Sequence, residues 1–119
     1  MSVQRGDVVL VPIRFSSGSG SKLRPVVVVQ SDHNNRRLHD TIVAVITSTV
    51  NRAAKERTQL LIDIATIDGK QSGLLQMSAV KCEHLHTILQ SDVQRKIGTL
   101  STPLLQQVDV CLKASLGIA

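Results

Sequence analysis

An arginine and two neighbouring hydroxyls stand at the ends of apolar segments and are suited to holding a phosphate. Arg24 comes directly before Pro25, and the proline restricts it to extended backbone geometry. Thr47 and Ser48 follow another apolar segment as two adjacent hydroxyls. A guanidinium binds phosphate oxygens through two prongs, and hydroxyls donate to them. Each motif alone is also typical of a solvated side chain or a turn, so the interpretation depends on their meeting in the fold.

A second pair of charged side chains adds proton-transfer chemistry to this set. Lys81 and Glu83 flank Cys82, so in a strand they project from the same side. A carboxylate can accept the proton of a ribose 2′-hydroxyl, and an ammonium adds positive charge beside a phosphate. Together the five side chains predict a phosphodiester site.

Composition limits what surrounds such a site. The 119 residues fit one domain, 1–119, and 42% apolar residues are enough for a core. A single Phe, with no Trp or Tyr, excludes a platform on which several rings stack on bases. The formal net charge of +5 lies entirely in residues 1–57, as expected if one face meets a polyanion. No apolar run approaches the length of a membrane span, and no secretory signal is visible, so we expect a cytoplasmic protein.

The two cysteines are separated by 28 residues and belong to no metal-binding motif. We expect Cys82 and Cys111 to be buried, reduced thiols and predict no metal ligands among them.

Most of the chain has the pattern of short strands. The connections between them are polar, with a Gly/Ser-rich loop at 16–22 and a turn-rich segment at 31–40. The continuous valines that follow Pro25 indicate a strand buried on both faces. The predicted strands are Asp7–Ile13, Pro25–Gln30, Thr41–Ile46, Leu60–Ile64, Ser78–Lys81 and His84–Ile88.

The last third of the chain changes to helical spacing. Ser91 and Gln94 form a capping-box pattern that predicts a short helix ending near Gly98. Thr102-Pro103 predicts the start of a second helix. Its apolar stripe comprises Leu105, Val108, Leu112 and Leu116. The whole pattern predicts a mainly β fold with α: a small, curved β-barrel closed by a C-terminal amphipathic helix.

Taken in order, these segments resemble the MazF/PemK-like toxins of bacterial toxin–antitoxin pairs, which are sequence-specific mRNA interferases. The similarity covers nearly the whole chain and implies that the predicted barrel is SH3-like or CcdB-like. It includes the RGD opening, the Arg-Pro-plus-valine run, the Ile-Thr-Ser ending and the S-A-V-K-C-E segment. The matching segments are Arg5–Phe15, Ser19–Asp32, Thr41–Ser48, Ser72–Ile88 and Ile97–Gly117.

The resemblance implies roles for the phosphate-site residues. Arg24 matches the family's catalytic arginine, and Thr47 matches its catalytic threonine, with Ser48 extending the hydroxyl pair. Lys81 and Glu83 stand where one branch of the family has an Arg and Asp acid/base pair. Both replacements keep the charge, although a lysine does not reproduce the two-pronged geometry of arginine.

The resemblance also implies which residues bind RNA. The loop before Arg24 covers the RNA site in the family, which implicates Ser21 and Lys22, although the loop sequence departs from the family pattern. Arg52 belongs to a charged segment that is suited either to following the phosphate backbone or to being solvated. Of the two histidines after Glu83, we expect His86 to face the same groove and His84 to point away. We expect His33 and His39 to lie on the exposed surface.

The activity that the resemblance implies is metal-independent cleavage of single-stranded mRNA. Attack of the 2′-hydroxyl would leave a 2′,3′-cyclic phosphate and a 5′-hydroxyl, without a cofactor. The implied partners are RNA, a second copy of the chain in a homodimer, and a cognate acidic antitoxin. Two alternatives are a non-catalytic CcdB-like toxin that binds a protein such as DNA gyrase, and a passive RNA-binding barrel; the latter is disfavoured by the near absence of aromatic residues.

Overall fold

The computed structural model describes residues 2–14 and 21–119, with only the backbone described at Ser21. In this part of the chain the secondary structure is mainly β. The helices are α1 (Asp32–Arg37), α2 (Ile67–Gln71) and α3 (Thr102–Leu116), with a 3₁₀ turn at Gln90–Asp92. The strands are β1 (Asp7–Arg14), β2 (Ser21–Val28), β3 (Asp40–Thr47), β4 (Gln59–Ile62), β5 (Ser78–Leu89) and β6 (Arg95–Thr99).

The six strands form one antiparallel sheet in the order β4-β5-β3-β2-β1-β6. The sheet curls into a half-barrel with α3 packed against β4 and β5. This confirms the predicted mainly β, barrel-like fold with a C-terminal helix. The two segments predicted around Cys82 are one long strand, β5, and most of the predicted Gly/Ser loop lies outside the described residues.

The centre of the sheet is buried on both faces. Val27 of β2 belongs to the apolar cluster under α3, whereas Val26 and Val28 belong to a second cluster on the opposite face. All three are completely buried, as the continuous valine run predicts. Strand β2 is therefore packed on both faces up to the point where it separates from β3.

The C-terminal helix begins one residue earlier than predicted. The Thr-Pro pair suggests that Pro103 is the first helical residue, whereas the helix begins at Thr102. The Ser101 hydroxyl is the N-cap and accepts from the backbone N–H of Leu104, with Pro103 in the first turn. Val108 is fully buried, but Leu116, predicted on the same stripe, is 56% exposed. Each step of four residues rotates a side chain by about 40° around the helix, so Leu116 has turned away from the sheet.

The prediction of a helix from Ser91 towards Gly98 was wrong. Only a 3₁₀ turn forms there, and β6 follows, with Lys96 opposite Val9 of β1. The backbone N–H of Gln94, which the capping box would use, donates instead to the carbonyl of Leu10. Pairing with β1 therefore outweighs the local helix signal.

Two short helices were not predicted. In the polar 31–40 connection, the Ser31 hydroxyl accepts from the backbone N–H of Asn34 and caps α1. In the same way, the Thr66 hydroxyl accepts from the N–H of Gly69 and caps α2. Both helices are too short to show an apolar period, so their caps were the only available signal.

Candidate active site

A cleft opens where β2 and β3 separate. Their pairing runs from Val28 to Val26 and stops at Pro25, which has no N–H to donate. Beyond that point Arg24 pairs with Val11 of β1, and β3 continues to Thr47 without β2 beside it. The sequence thus brings an arginine and a threonine to the two sides of one gap.

A bulge in β5 forms the floor of this cleft. Ala44 of β3 lies opposite Leu85, but the next residue, Val45, lies opposite Lys81. The three residues of β5 between Lys81 and Leu85 therefore have no pairing partner on β3, which is a bulge. Cys82 belongs to the cluster beneath α3 and Leu85 packs against that cluster, while Glu83 and His84, which lie between them, both line the cleft.

The predicted catalytic side chains meet in this cleft, a cavity of about 840 Å³. Arg24 and Thr47, both half-buried, line it from the two separated strands. A second cavity of about 580 Å³ adjoins it, and residues that line both include Thr47, Lys81 and Glu83. One continuous depression therefore holds a guanidinium, a hydroxyl, an ammonium and a carboxylate.

The Glu83 carboxylate is fixed by two side chains at the start of β4. Oε1 accepts from the Thr58 hydroxyl at 3.0 Å, and Oε2 accepts from Nε2 of Gln59 at 2.8 Å. Burial acts to raise the pKa of Glu83, but the hydrogen bonds from Gln59, its own backbone and Thr58, together with the charge of Lys81, hold it below its usual value. Glu83 is therefore ionised and oriented at neutral pH.

The Thr47 hydroxyl is oriented by the turn that follows β3. Its oxygen accepts from the backbone N–H of Thr49 at 3.1 Å. A hydroxyl that accepts this bond keeps its own hydrogen to donate. Ser48 is exposed and lines neither of the two cavities, because alternation along the strand turns it away.

The expected orientation of His84 was wrong. His84 lines both cavities, and His86 lines the first, as expected. Although His86 was expected in the groove, alternation in an unbroken strand would turn both histidines to the face opposite Glu83, so strand parity does not support that expectation. The bulge changes the alternation between Cys82 and Leu85, and it is the reason that both imidazoles border the cleft.

The residues predicted to bind RNA are spread more widely. Arg52 lines the second cavity, while Lys22 is exposed on β2 and lines neither cavity. The side chain of Ser21 lies outside the described residues. His33 and His39 are exposed, as expected, and neither lines the cleft.

Sequence reasoning missed Thr58 and Gln59, which fix Glu83, and also Arg14 and Thr49 on the cleft wall. No motif marks Thr58 and Gln59. Their contact with Glu83 depends on the pairing of β4 with β5, in which Gln59 lies opposite Lys81. The only signal was that polar residues stand directly before an apolar strand.

The two cysteines lie outside the cleft. Cys82 and Cys111 are buried and free, as predicted. Burial, followed by the nearby Cys111 and Glu83, raises the pKa of the Cys82 thiol to about 12. Cys82 is therefore a core residue on the α3 side of β5, although it lies between two cleft residues in the sequence.

Among residues 2–14 and 21–119, no three His, Cys, Asp or Glu side chains are grouped as metal ligands would be. Nor does any helix in the same ranges have both the length and the apolar character needed to cross a bilayer.

Comparison with known proteins agrees with this architecture. Residues 4–116 match the family described as the PemK-like, MazF-like toxin of type II toxin-antitoxin systems. The chain is 34% identical to the endoribonuclease EndoA of Bacillus subtilis (strain 168), over 99% of this chain and 97% of that protein.

Solved structures of low sequence identity share the fold. A mycobacterial endoribonuclease in complex with its cognate antitoxin has a TM-score of 0.78 at 18% identity, covering 99% of this chain and 98% of that one. A MazE-MazF complex from Deinococcus radiodurans has a TM-score of 0.74 at 14% identity, covering 100% of both chains. The chain belongs to the PemK-like, MazF-like toxin family of type II toxin-antitoxin systems.

Proposed function

We propose that the protein is a sequence-specific endoribonuclease toxin that cleaves single-stranded mRNA without a metal ion. The ribose 2′-hydroxyl attacks the adjacent phosphorus and leaves a 2′,3′-cyclic phosphate and a 5′-hydroxyl. The observation that carries the proposal is the convergence of Arg24, Thr47, Lys81 and Glu83 on one cleft. The endoribonuclease among the relatives supports the same reaction class.

The two cationic side chains stabilise the negative charge that develops on the phosphorus. Arg24 binds two oxygens of the scissile phosphate and stabilises the phosphorane as it forms. Lys81, which lines the same cleft from β5, supplies a second positive charge. Losing one such preorganised contact typically costs about 3–4 kcal/mol of transition-state stabilisation.

Thr47 and Glu83 orient the reacting groups. The Thr47 hydroxyl, whose oxygen already accepts from Thr49, donates to a non-bridging oxygen and holds the phosphate in line. Glu83 is ionised and held by Gln59, and accepts the proton of the attacking 2′-hydroxyl. Such proton transfer contributes about 10²–10⁴-fold in rate.

The remaining positive charge serves the rest of the RNA strand. Arg52 and His86 line the two cavities on either side of the catalytic groups and contact the neighbouring nucleotides. Lys22, Ser21 and Ser48 are proposed to contact RNA further from the scissile bond. The protein acts as a homodimer and is inhibited by a cognate acidic antitoxin, whose charge complements the basic first half of the chain. A CcdB-like toxin that only binds a protein would not need this set of groups.

The direct test is cleavage of a mixed-sequence RNA in EDTA. Defined cuts are expected, with 5′ ends that polynucleotide kinase labels without prior phosphatase treatment. The 3′ ends are expected to be cyclic phosphates. Cleavage that requires added Mg²⁺, or ends that carry a 5′-phosphate, would contradict the proposed chemistry. Binding without cleavage would favour a passive RNA-binding protein.

A further inference from the structure

The proposed reaction leaves one proton transfer without a donor. When the bond from phosphorus to the 5′-oxygen breaks, the departing alkoxide must receive a proton. Glu83 is unsuited to donate it, because its hydrogen bonds hold the carboxylate ionised. Arginine does not give up its proton in proteins, and a lysine ammonium generally does so only well above neutral pH.

The cleft contains two further side chains of the type that exchanges protons near neutral pH, His84 and His86. Both reach it because of the bulge in β5, which changes the alternation of the strand between Lys81 and Leu85. At this bulge the consecutive residues Glu83 and His84 both line the two cavities. A base and an acid are thereby presented by consecutive residues.

Of the two histidines, His84 has the better position. It lines both cavities, as Thr47 and Lys81 do, so it borders the part of the depression that these phosphate-binding groups share. His86 lies opposite Val43, further along β5, and lines only the first cavity. His84 is also exposed, so its imidazole is accessible to a bound strand.

We propose that His84 is the general acid of the reaction, an assignment that rests on the proposed ribonuclease function. The 2′-oxygen forms its bond to phosphorus while its proton passes to the Glu83 carboxylate. The bond from phosphorus to the 5′-oxygen breaks as the His84 imidazolium gives that oxygen a proton. Exchange with water then returns Glu83 and His84 to their starting states, so no other reactant is needed.

A substrate with sulfur in place of the bridging 5′-oxygen tests this assignment. A thiolate leaves without protonation, so it does not need a general acid. His84→Ala is expected to cleave ordinary RNA about 10²–10⁴-fold more slowly than wild type, and the sulfur substrate at close to the wild-type rate. Imidazole added to the buffer is expected to restore part of the loss on ordinary RNA.

Three further variants make the test specific. Glu83→Gln is expected to be slow on both substrates, because the 2′-hydroxyl still needs a base. His86→Ala, with the same chemistry two residues away, is expected to be affected equally on both. His33→Ala, on α1 outside the cleft, is expected to match wild type. Circular dichroism and a melting temperature for each variant check that it folds.

The assignment of His84 is overturned if His84→Ala is equally slow on both substrates, if it loses no activity, or if sulfur restores His86→Ala instead. If the wild-type protein cleaves neither substrate, the proposed ribonuclease function is itself wrong, and the role of His84 falls with it. The sulfur substrate thus separates failure of this assignment from failure of the proposed function.

Discussion

Gln59 and Glu83 lie on neighbouring strands, and Nε2 of Gln59 donates a 2.8 Å hydrogen bond to Oε2 of Glu83. This bond makes the largest contribution to lowering the pKa of Glu83, against the effect of burial, which raises it. It connects the start of β4 to the bulge of β5 and fixes a carboxylate that borders both cavities. The position and the ionisation of Glu83 therefore depend on a residue with no catalytic motif.

Replacing Gln59 is expected to raise the pKa of Glu83. In Gln59→Leu the carboxylate loses a hydrogen bond to its charged form, so its pKa moves up towards its usual value. A group with a depressed folded pKa adds stability that is present above its unfolded pKa and is lost as pH falls through the folded value. Gln59→Leu is therefore expected to lose less stability than wild type on acidification.

Carbon-13 NMR titration of the Glu83 carboxyl measures the change in its pKa, and Gln107→Leu on the exposed side of α3 is the control. An unchanged Glu83 titration in Gln59→Leu would contradict this explanation.

The Thr47 hydroxyl is expected to act mainly in the transition state. Thr47→Val removes the donor at nearly constant shape and is expected to lower kcat by about 10²–10³-fold, with a smaller change in KM. Thr47→Ser keeps the hydroxyl and is expected to retain most of the activity. Single-turnover cleavage of one defined RNA distinguishes the two variants. Equal losses in both would show that the hydroxyl alone does not account for the role of Thr47.

The Cys82 thiol is expected to be unreactive while the protein is folded. Burial raises its pKa to about 12, so little of the reactive thiolate is present near neutral pH. A thiol reagent is expected to modify it slowly in buffer and rapidly in denaturant. Rapid modification in buffer, with the fold intact, would contradict its burial.

The same pKa shift predicts a loss of stability in alkali. A raised folded pKa gives stability that is complete below the unfolded value of 9.0 and declines as pH rises towards 12. Cys82→Ala is expected to lower overall stability but to show a smaller decline above pH 9.0 than wild type. Urea unfolding on both sides of this pH measures the difference. An equal alkaline decline in the two proteins would assign it to other groups.

Gly98 is expected to be intolerant of any side chain. A Cβ at this position would lie 2.4 Å from the backbone carbonyl carbon and oxygen of Ser72. The obstacle is backbone, so either β6 or the segment after α2 must move. Gly98→Ala is expected to destabilise the fold by about 1–3 kcal/mol, as overpacking does elsewhere. Urea unfolding measures this cost. A free energy of unfolding equal to that of wild type would show that Gly98 and the backbone of Ser72 are further apart than described.

The sequence predicts the two sides of the cleft better than its floor. Arg24 and Thr47 stand at the ends of apolar runs, and Pro25 limits the pairing between those strands, so their approach follows from local rules. The position of His84 depends on a bulge defined by pairing with β3, and no local pattern indicates it. Long-range pairing also explains the failed helix prediction, because the Gln94 N–H is used by Leu10 of β1.

The most direct test of the central claim is RNA cleavage in EDTA by Arg24→Ala beside Arg95→Ala. Both variants remove one positive charge, but Arg24 lines the cleft, whereas Arg95 is exposed on the edge strand β6. Arg24→Ala is expected to lose at least about 10²–10³-fold in rate while folding normally, and Arg95→Ala to cleave like wild type. Cleavage by Arg24→Ala at the wild-type rate would contradict the account.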